Sequence, residues 1–294
     1  MSKLLKALDK ARHRKDEGYS AAEEMPAEDK LAKAYEKATS SSSGAGTFSS
    51  ARPVKVSKDQ EIKPRYTKTK VLTANDRVLE SNRIMTHLKD SRVRDYYDIL
   101  RTQVLQKTRP NGWNSLMVTS AYPGEGKTLT AINLALAISR QVQQTAMLVG
   151  ANFRSSKVCT YLGFDEKRTG LSDYLSNGIQ IQDSFFNPGL DRLVILPAGS
   201  TMASTDAMGS PKMKALVQEL KTRYSDRYVI YDCPHVLDMP DTLIFSSYVD
   251  AVIMVVEAGK TPKQRIQEAV RTLEEHGVNI IGMVLNKAHS SKVT

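Results

Sequence analysis

Only two cysteines, Cys159 and Cys233, occur in 294 residues. Two thiols cannot build a disulfide framework, and neither sits in metal-ligand spacing. The chain therefore reads as a protein of a reducing cytosol in which both cysteines pack as small apolar side chains. A run of about 18 apolar residues is also missing, which excludes a transmembrane helix, and the charged, amphipathic N-terminus does not read as a signal peptide. The expectation is a soluble, cytoplasmic protein. Tyrosine stops at Tyr248, leaving the last 46 residues without one. No aromatic stacking motif or recognition module accompanies the basic residues, so nucleic acid is not an expected partner.

What is present is an uneven charge. Of the net +10, residues 1–95 contribute 21 Lys+Arg against 14 Asp+Glu, and the remainder 21 against 18. A basic leader on a near-neutral body suggests an acidic surface as partner, with simple solvation as the competing reading. Residues 2–14 place Leu4, Leu5, Leu8 and Ala11 on one helix face with lysines and arginines around it, a helix too short to be firm unless docked or laid on a membrane surface. Thr39 to Gly46 reads as linker, and Arg52 to Lys70 as a poor core former. We divide the chain into a leader over residues 1–85 and a globular domain over 86–294.

Within that domain, Ser91 to Lys107 has helical periodicity, with Val93, Tyr96, Tyr97, Leu100 and Val104 on one side. Strands are expected at 115–120, 146–149, 193–196, 228–231, 251–256 and 279–285. Helices are expected at 128–137, at 210–223, and after Thr261-Pro262, with Thr261 as cap and Gly277 as the stop. Apolar strands separated by helices imply an α/β fold, a mostly parallel sheet covered by helices on both faces, with ligands at the strands' C-terminal ends.

At one such end stands Ala121-Tyr122-Pro123-Gly124-Glu125-Gly126-Lys127-Thr128, of the form A-x-x-x-x-G-K-T, between an apolar strand and an apolar helix. This is the context a phosphate loop requires. Gly124 and Gly126 allow a tight turn whose N–H groups meet phosphate oxygens, and the helix adds its positive end. Pro123, Gly124, Glu125 and Gly126, with Lys127, Thr128 and Leu129 at the helix start, form the expected cradle. Lys127 supplies charge near the β- and γ-phosphates, and Thr128 a hydroxyl ligand for Mg²⁺. Asp232 closes the apolar run Tyr228-Val229-Ile230-Tyr231, where a carboxylate can reach a nucleotide-bound Mg²⁺ directly or through water. Asp241, nine residues on, is a weaker candidate for the same site.

The run Met117 to Ala135 resembles the Walker A segment of the bacterial tyrosine kinases that control polysaccharide synthesis and export, nearest to the exosortase-associated subgroup. The likeness continues through Gly170 to Leu175, Leu196 to Gly199, Tyr228 to Pro234, Val249 to Ala251 and Gly277 to Lys287. It implies a P-loop NTPase fold of the MinD/ParA-like kind and transfer of the γ-phosphate of ATP, with Mg²⁺, to tyrosine. A membrane-embedded chain-length (co-polymerase) protein is the implied partner, with self-association and a peripheral place at the inner face of the plasma membrane. By position, Lys127 and Thr128 hold phosphate and metal, Asp232 is the Walker B residue, and Asn286 contacts adenine. A partitioning-type ATPase ranks last, because Tyr122 stands where those proteins carry an extra lysine.

Three departures shape the reading. Where the family has D-x-D-x-R, this chain has Gly150-Ala151-Asn152-Phe153-Arg154, leaving Asn152 and Arg154 as the catalytic candidates. Asn can bond a hydroxyl but cannot hold its proton, and loss of a general base commonly costs about 10²–10⁴ in rate. The family's C-terminal tyrosine cluster is missing, so Tyr19, Tyr35 and Tyr66 are the substitute acceptors. The family's E-x-x-R-x-x-R, used for subunit pairing, reads Asp95, Asp98 and Arg101 here. The alternative function is a catalytically degenerate ATP-binding adaptor of the export machinery. His235, where the family often has proline, reads as a surface or packing residue.

Overall fold

The computed structural model describes residues 69–86, 88, 91–201 and 206–288. The leader helix, the linker, and the tyrosines at 19, 35 and 66 lie outside the described residues. Eight strands form one sheet: β1 (Lys70–Val71), β2 (Ser115–Ser120), β3 (Thr145–Gly150), β4 (Phe186–Asn187), β5 (Leu193–Leu196), β6 (Arg227–Asp232), β7 (Ala251–Glu257) and β8 (Ile280–Asn286). Their order is β1-β4-β5-β3-β6-β2-β7-β8, and every pair is parallel except β4 with β5. The fold is therefore the expected α/β one with a mostly parallel sheet. The six longer strands match the expected segments to within a residue or so at each end, because apolar β-branched runs bounded by turns leave little choice. The two-residue strands β1 and β4 were not expected; two residues carry no period.

Alternation along each central strand feeds two cores. Leu116 and Val118 of β2 and Ile230 of β6 face one side, while Met117, Val229 and Tyr231 face the other, all fully buried. A strand buried on both faces must be apolar at successive positions, which is why these segments read as unbroken runs.

Among the helices are α1 (Asp76–Ser81), α2 (Arg92–Thr108), α3 (Lys127–Ser139), α4 (Val158–Tyr161), α5 (Leu171–Asn177), α6 (Pro211–Thr222), α7 (Pro240–Ser246) and α8 (Lys263–Glu275). The helix expected over 210–223 is α6, and Ser210 caps it, its hydroxyl accepting from the Met213 N–H at 3.1 Å. Helix α8 differs from expectation at its start. Pro262 occupies the cap position and Lys263 begins the helix. The Thr261 hydroxyl instead donates to the buried Glu125 carboxylate, a stronger acceptor than a helix end offers. Gly277 ends the helix with φ +70°, as a stop glycine does.

Helix α2 departs from the sequence pattern at one residue. Val93, Tyr97, Leu100 and Val104 turn inward, but Tyr96 is 67% exposed. Inward positions run on through Leu105 and Thr108, a narrower stripe than the periodicity suggested. On the same helix Asp98 gathers three arginines: Arg101 at 2.8 Å, Arg94 at 3.6 Å, and Arg140 from the end of α3. Arg101 also donates to the Ala137 carbonyl at 3.2 Å. The acidic residue at the position of reversed sign thus joins two helices of one chain.

Residues before position 86 enter the core. Leu79 and Ile84 are fully buried, worth about 1.5–3 kcal/mol each on burial. The buried Asn133 of α3 holds this segment, accepting from the Met85 and Thr86 N–H groups at 3.2 and 3.4 Å and donating to the Arg83 carbonyl at 3.2 Å. Among the described residues no helix is long and apolar enough to cross a membrane. Both cysteines are free and buried, and burial pushes the Cys159 thiol up to about 11.

Candidate nucleotide-binding site

The loop after β2 is pinned from beneath by its own glutamate. Glu125, 2% exposed, accepts from the Tyr122 N–H at 2.7 Å through Oε2, and from the Glu257 N–H at 3.3 Å and the Thr261 hydroxyl through Oε1. Its carboxylate therefore faces the protein, and only its backbone remains on the cradle side. From the end of β8, the Asn286 amide donates to the Glu125 carbonyl at 2.9 Å, and Lys287 Nζ to the Gly124 carbonyl at 2.8 Å. Gly126, at φ +97°, fits because it lacks a side chain: a Cβ there would overlap the Asn286 amide nitrogen. Pro123 and Gly124 are exposed on the loop's outer side, and Leu129 packs half-buried against the core. Sequence reasoning missed the roles of Thr261, Glu257 and Lys287 at this loop, because they come from chain more than 100 residues away. Tyr122 is held by Arg265, whose guanidinium lies 5.1 Å from the ring centre.

The register of the sheet sets the next element. Val118 of β2 lies beside Asp232 of β6, and Gly150 of β3 lies on its other side. Asp232 is fully buried, and its two oxygens accept from the Thr128 hydroxyl at 3.1 and 2.9 Å. Burial raises the Asp232 carboxyl to about 6, against the opposing pull of Lys127 and the Thr128 hydrogen bond. A fully desolvated carboxylate beside a hydroxyl is a pair of hard oxygens, the donor chemistry that Mg²⁺ takes. The residues present thus fit a nucleotide's metal ion, with Thr128 and Asp232 as the groups that would hold it. Lys127, 8% exposed, is close enough to influence both Asp232 and His235. Burial and then Lys127 lower the His235 imidazole below its usual range, so it is neutral at pH 7. The turn after β6 is anchored on β2, with the Thr119 hydroxyl donating to the Pro234 carbonyl at 2.6 Å.

The loop after β3 is different. The Ala151 N–H donates to the Asp232 carbonyl at 2.9 Å, which fixes the loop's start beside the metal pair. Asn152 is turned onto its own loop: its amide donates to the Ser155 carbonyl at 3.0 Å and its carbonyl oxygen accepts from the Ser155 N–H at 3.2 Å. Gly150 has no room for a side chain, since a Cβ would lie 2.8 Å from the Ala198 nitrogen. Arg154 reaches Asp241 of α7, Nε to Oδ2, at 3.1 Å. Beyond it a polar cavity of about 210 Å³ lies between this loop and the one after β5, lined in part by Arg154, Ser156, Lys157, Glu166 and Gly199. Of the sequence-selected residues, the structure brings Lys127, Thr128 and Asp232 together. Asn286 sits at the loop, Asn152 is turned away onto Ser155, and Arg154 is on the neighbouring strand's loop.

No family model matches the chain. The chain is 31% identical over 193 residues to the tyrosine-protein kinase CpsD of Streptococcus pneumoniae serotype 4, which covers 66% of this chain and 83% of that protein. It is 29% identical over 199 residues to the tyrosine-protein kinase YwqD of Bacillus subtilis, covering 67% and 82%. Among solved structures it is similar to the kinase domain of VpsO, with a TM-score of 0.60 and 26% identity over 72% of this chain and 97% of that one. The septum site-determining protein MinD of Pyrococcus horikoshii, solved with Mg-ADP, shares the fold at a TM-score of 0.52 and 20% identity over 61% of this chain and 72% of that one.

Proposed function

Since the chain belongs to the family of bacterial tyrosine-protein kinases, we propose that it binds Mg-ATP and transfers the γ-phosphate to tyrosine, as a regulator of exopolysaccharide or capsule synthesis and export. The observation that carries this is the Thr128–Asp232 pair at the root of the glycine loop, at 2.9 and 3.1 Å. Bound Mg²⁺ would neutralise charge on the β- and γ-phosphates. The chain's own residues do the rest. Lys127 and the loop N–H groups hold the phosphates, Arg154 faces the transferred group, and Asn286 keeps the loop closed beside the base. No carboxylate on the β3 loop takes the acceptor's proton. Transfer then rests on positioning and charge, terms that dominate phosphoryl transfer, and is slow.

The acceptors we assign are Tyr19, Tyr35 and Tyr66 of the leader, residues 1–85, whose last part packs into the core of the domain from 86 onward that carries the site. We assign the leader's helix, residues 2–14, to a membrane surface, and a membrane-embedded co-polymerase to the chain as its partner. A second reading, an ATP-binding adaptor without catalysis, is favoured by Gly150 and by the self-satisfied Asn152.

The test is calorimetry with Mg-ATP alongside phosphotyrosine formation, on the wild type, Lys127→Ala and Asn152→Asp. We expect Lys127→Ala to weaken binding about 10- to 100-fold, the worth of a charge-assisted contact. Asn152→Asp should raise the transfer rate by about 10² if a base is what the site lacks. Phosphate on no tyrosine in either the wild type or Asn152→Asp, with binding intact, would select the adaptor.

A further inference from the structure

Asp241 belongs to none of the groups that the proposed reaction uses, yet its situation is costly. It lies in the first turn of α7 and is 6% exposed. One oxygen, Oδ2, accepts from Arg154 Nε at 3.1 Å, while the other, Oδ1, is buried without a hydrogen-bond partner. A buried carboxylate with half its capacity unmet loses hydration without full return, and a buried ion pair is weak evidence of stability in the first place. Stability alone does not account for it.

Its partner explains it better. The protein holds Arg154 through Nε, and among the described residues no hydrogen bond or ion pair of its two Nη groups is seen. The Arg154 side chain is 40% exposed and lines the polar cavity, on a loop whose first N–H is bonded to the Asp232 carbonyl. A guanidinium gripped at Nε still presents the two parallel N–H bonds of its Nη1–Nη2 edge, the geometry that clamps phosphoryl oxygens. The grip is itself braced, because the Thr242 hydroxyl, next to Asp241, donates at 3.0 Å to the carbonyl of His235 in the turn after Asp232. One strand end thus carries the metal-facing carboxylate, and the helix behind it carries the carboxylate that aims the arginine.

We infer that Asp241 is a positioning residue, holding the Arg154 guanidinium toward the transferring phosphoryl group. This rests on the reading that Arg154 faces that group, and it replaces part of what the missing β3 carboxylates would organise. The helix-start placement of Asp241 gives a competing, smaller structural role through the helix dipole.

The experiment uses the full chain with Asp241→Asn, which keeps the size, Arg154→Lys, and the double variant. Calorimetry compares Mg-ADP with Mg-ADP plus aluminium fluoride, a planar mimic of the phosphoryl group in flight, and phosphotyrosine formation is followed in parallel. Each single variant should weaken the fluoride complex about tenfold while Mg-ADP affinity stays within twofold, and the double variant should be no worse than either single one. An unchanged fluoride complex in Asp241→Asn, fully additive losses, or an equal loss for both ligands with a lowered melting temperature would overturn it. If the fluoride effect holds but no phosphotyrosine forms, the positioning stands and the catalytic reading fails. A wild type that binds both ligands alike removes both.

Discussion

The loop after β2 and the loop after β3 leave the same edge of the sheet on either side of β6, and they are built in opposite ways. The first is secured by distant chain: Glu125 to β7 and Thr261, Gly124 and Glu125 to the end of β8. Apart from the Tyr122 N–H, which its own glutamate takes, the loop's backbone N–H groups and Lys127 are kept out of this anchoring. The second, once its first N–H is bonded to the Asp232 carbonyl, is secured largely by itself. Asn152 closes on Ser155, and the one charged side chain that reaches out of the loop toward β6's helix is Arg154. Anchoring by distant segments leaves a loop's own surface free, whereas local self-satisfaction uses up the loop's polar groups.

The largest blow to this contrast should come from Gly126→Ala. A Cβ at φ +97° would both strain the backbone and overlap the Asn286 amide, costing about 3 kcal/mol, or roughly a hundredfold in Mg-ATP affinity by calorimetry. Undiminished affinity would mean that the loop does not cradle phosphate.

A smaller effect, but one with a distinctive sign, is expected at Asp232. Its carboxyl is raised from 3.8 to about 6, so between those pH values the folded chain binds more protons than the unfolded one. Stability contributed by this group therefore falls as pH rises across that window and stays low above it. Nucleotide binding that depends on Mg²⁺ runs the other way, declining below pH 6 as the carboxylate is protonated. Asp232→Asn should raise the ligand-free protein's stability at pH 7, by on the order of 1–3 kcal/mol, and remove the Mg²⁺ dependence. Melting curves and calorimetry from pH 4 to pH 8 check both. A melting temperature that falls in Asp232→Asn would contradict the burial argument.

The smallest effect should lie away from both loops, at Asp98→Asn. Removing the shared carboxylate leaves Arg94, Arg101 and Arg140 facing one another. Because Asp98 is 30% exposed, solvent screens much of that repulsion. The expected loss is about 1 kcal/mol, a few degrees in melting temperature, with Mg-ATP affinity unchanged.

Much of the fold was legible because its signals are local. A strand buried on both faces reads as an unbroken apolar run, and the glycine loop needs its own residues in its own order. The partners of Glu125 were not legible, since Thr261 and Lys287 acquire meaning only when β7 pairs with β2 and β8 with β7. Thr261 shows the conflict directly: its neighbours make it a helix cap, and a buried carboxylate from the loop after β2 takes its hydroxyl. Tyr96 went astray for a related reason. Periodicity placed it on the buried face of α2, but the width of that face is set by the neighbouring α3, and Tyr96 falls outside it.

The sequence by itself determined the sheet's central strands, the phosphate loop, the carboxylate at the end of β6, and the absence of carboxylates at 150 and 152. Each depends on residue type and spacing within a dozen positions, which is the range over which strand and helix periods act. Only the tertiary structure decided that Gly150 is closed against a side chain, that Asn152 is satisfied by Ser155, and that Arg154 is gripped by Asp241. Those outcomes depend on which strands stand side by side, and parallel neighbours in a crossover sheet are separated by whole helices in the chain.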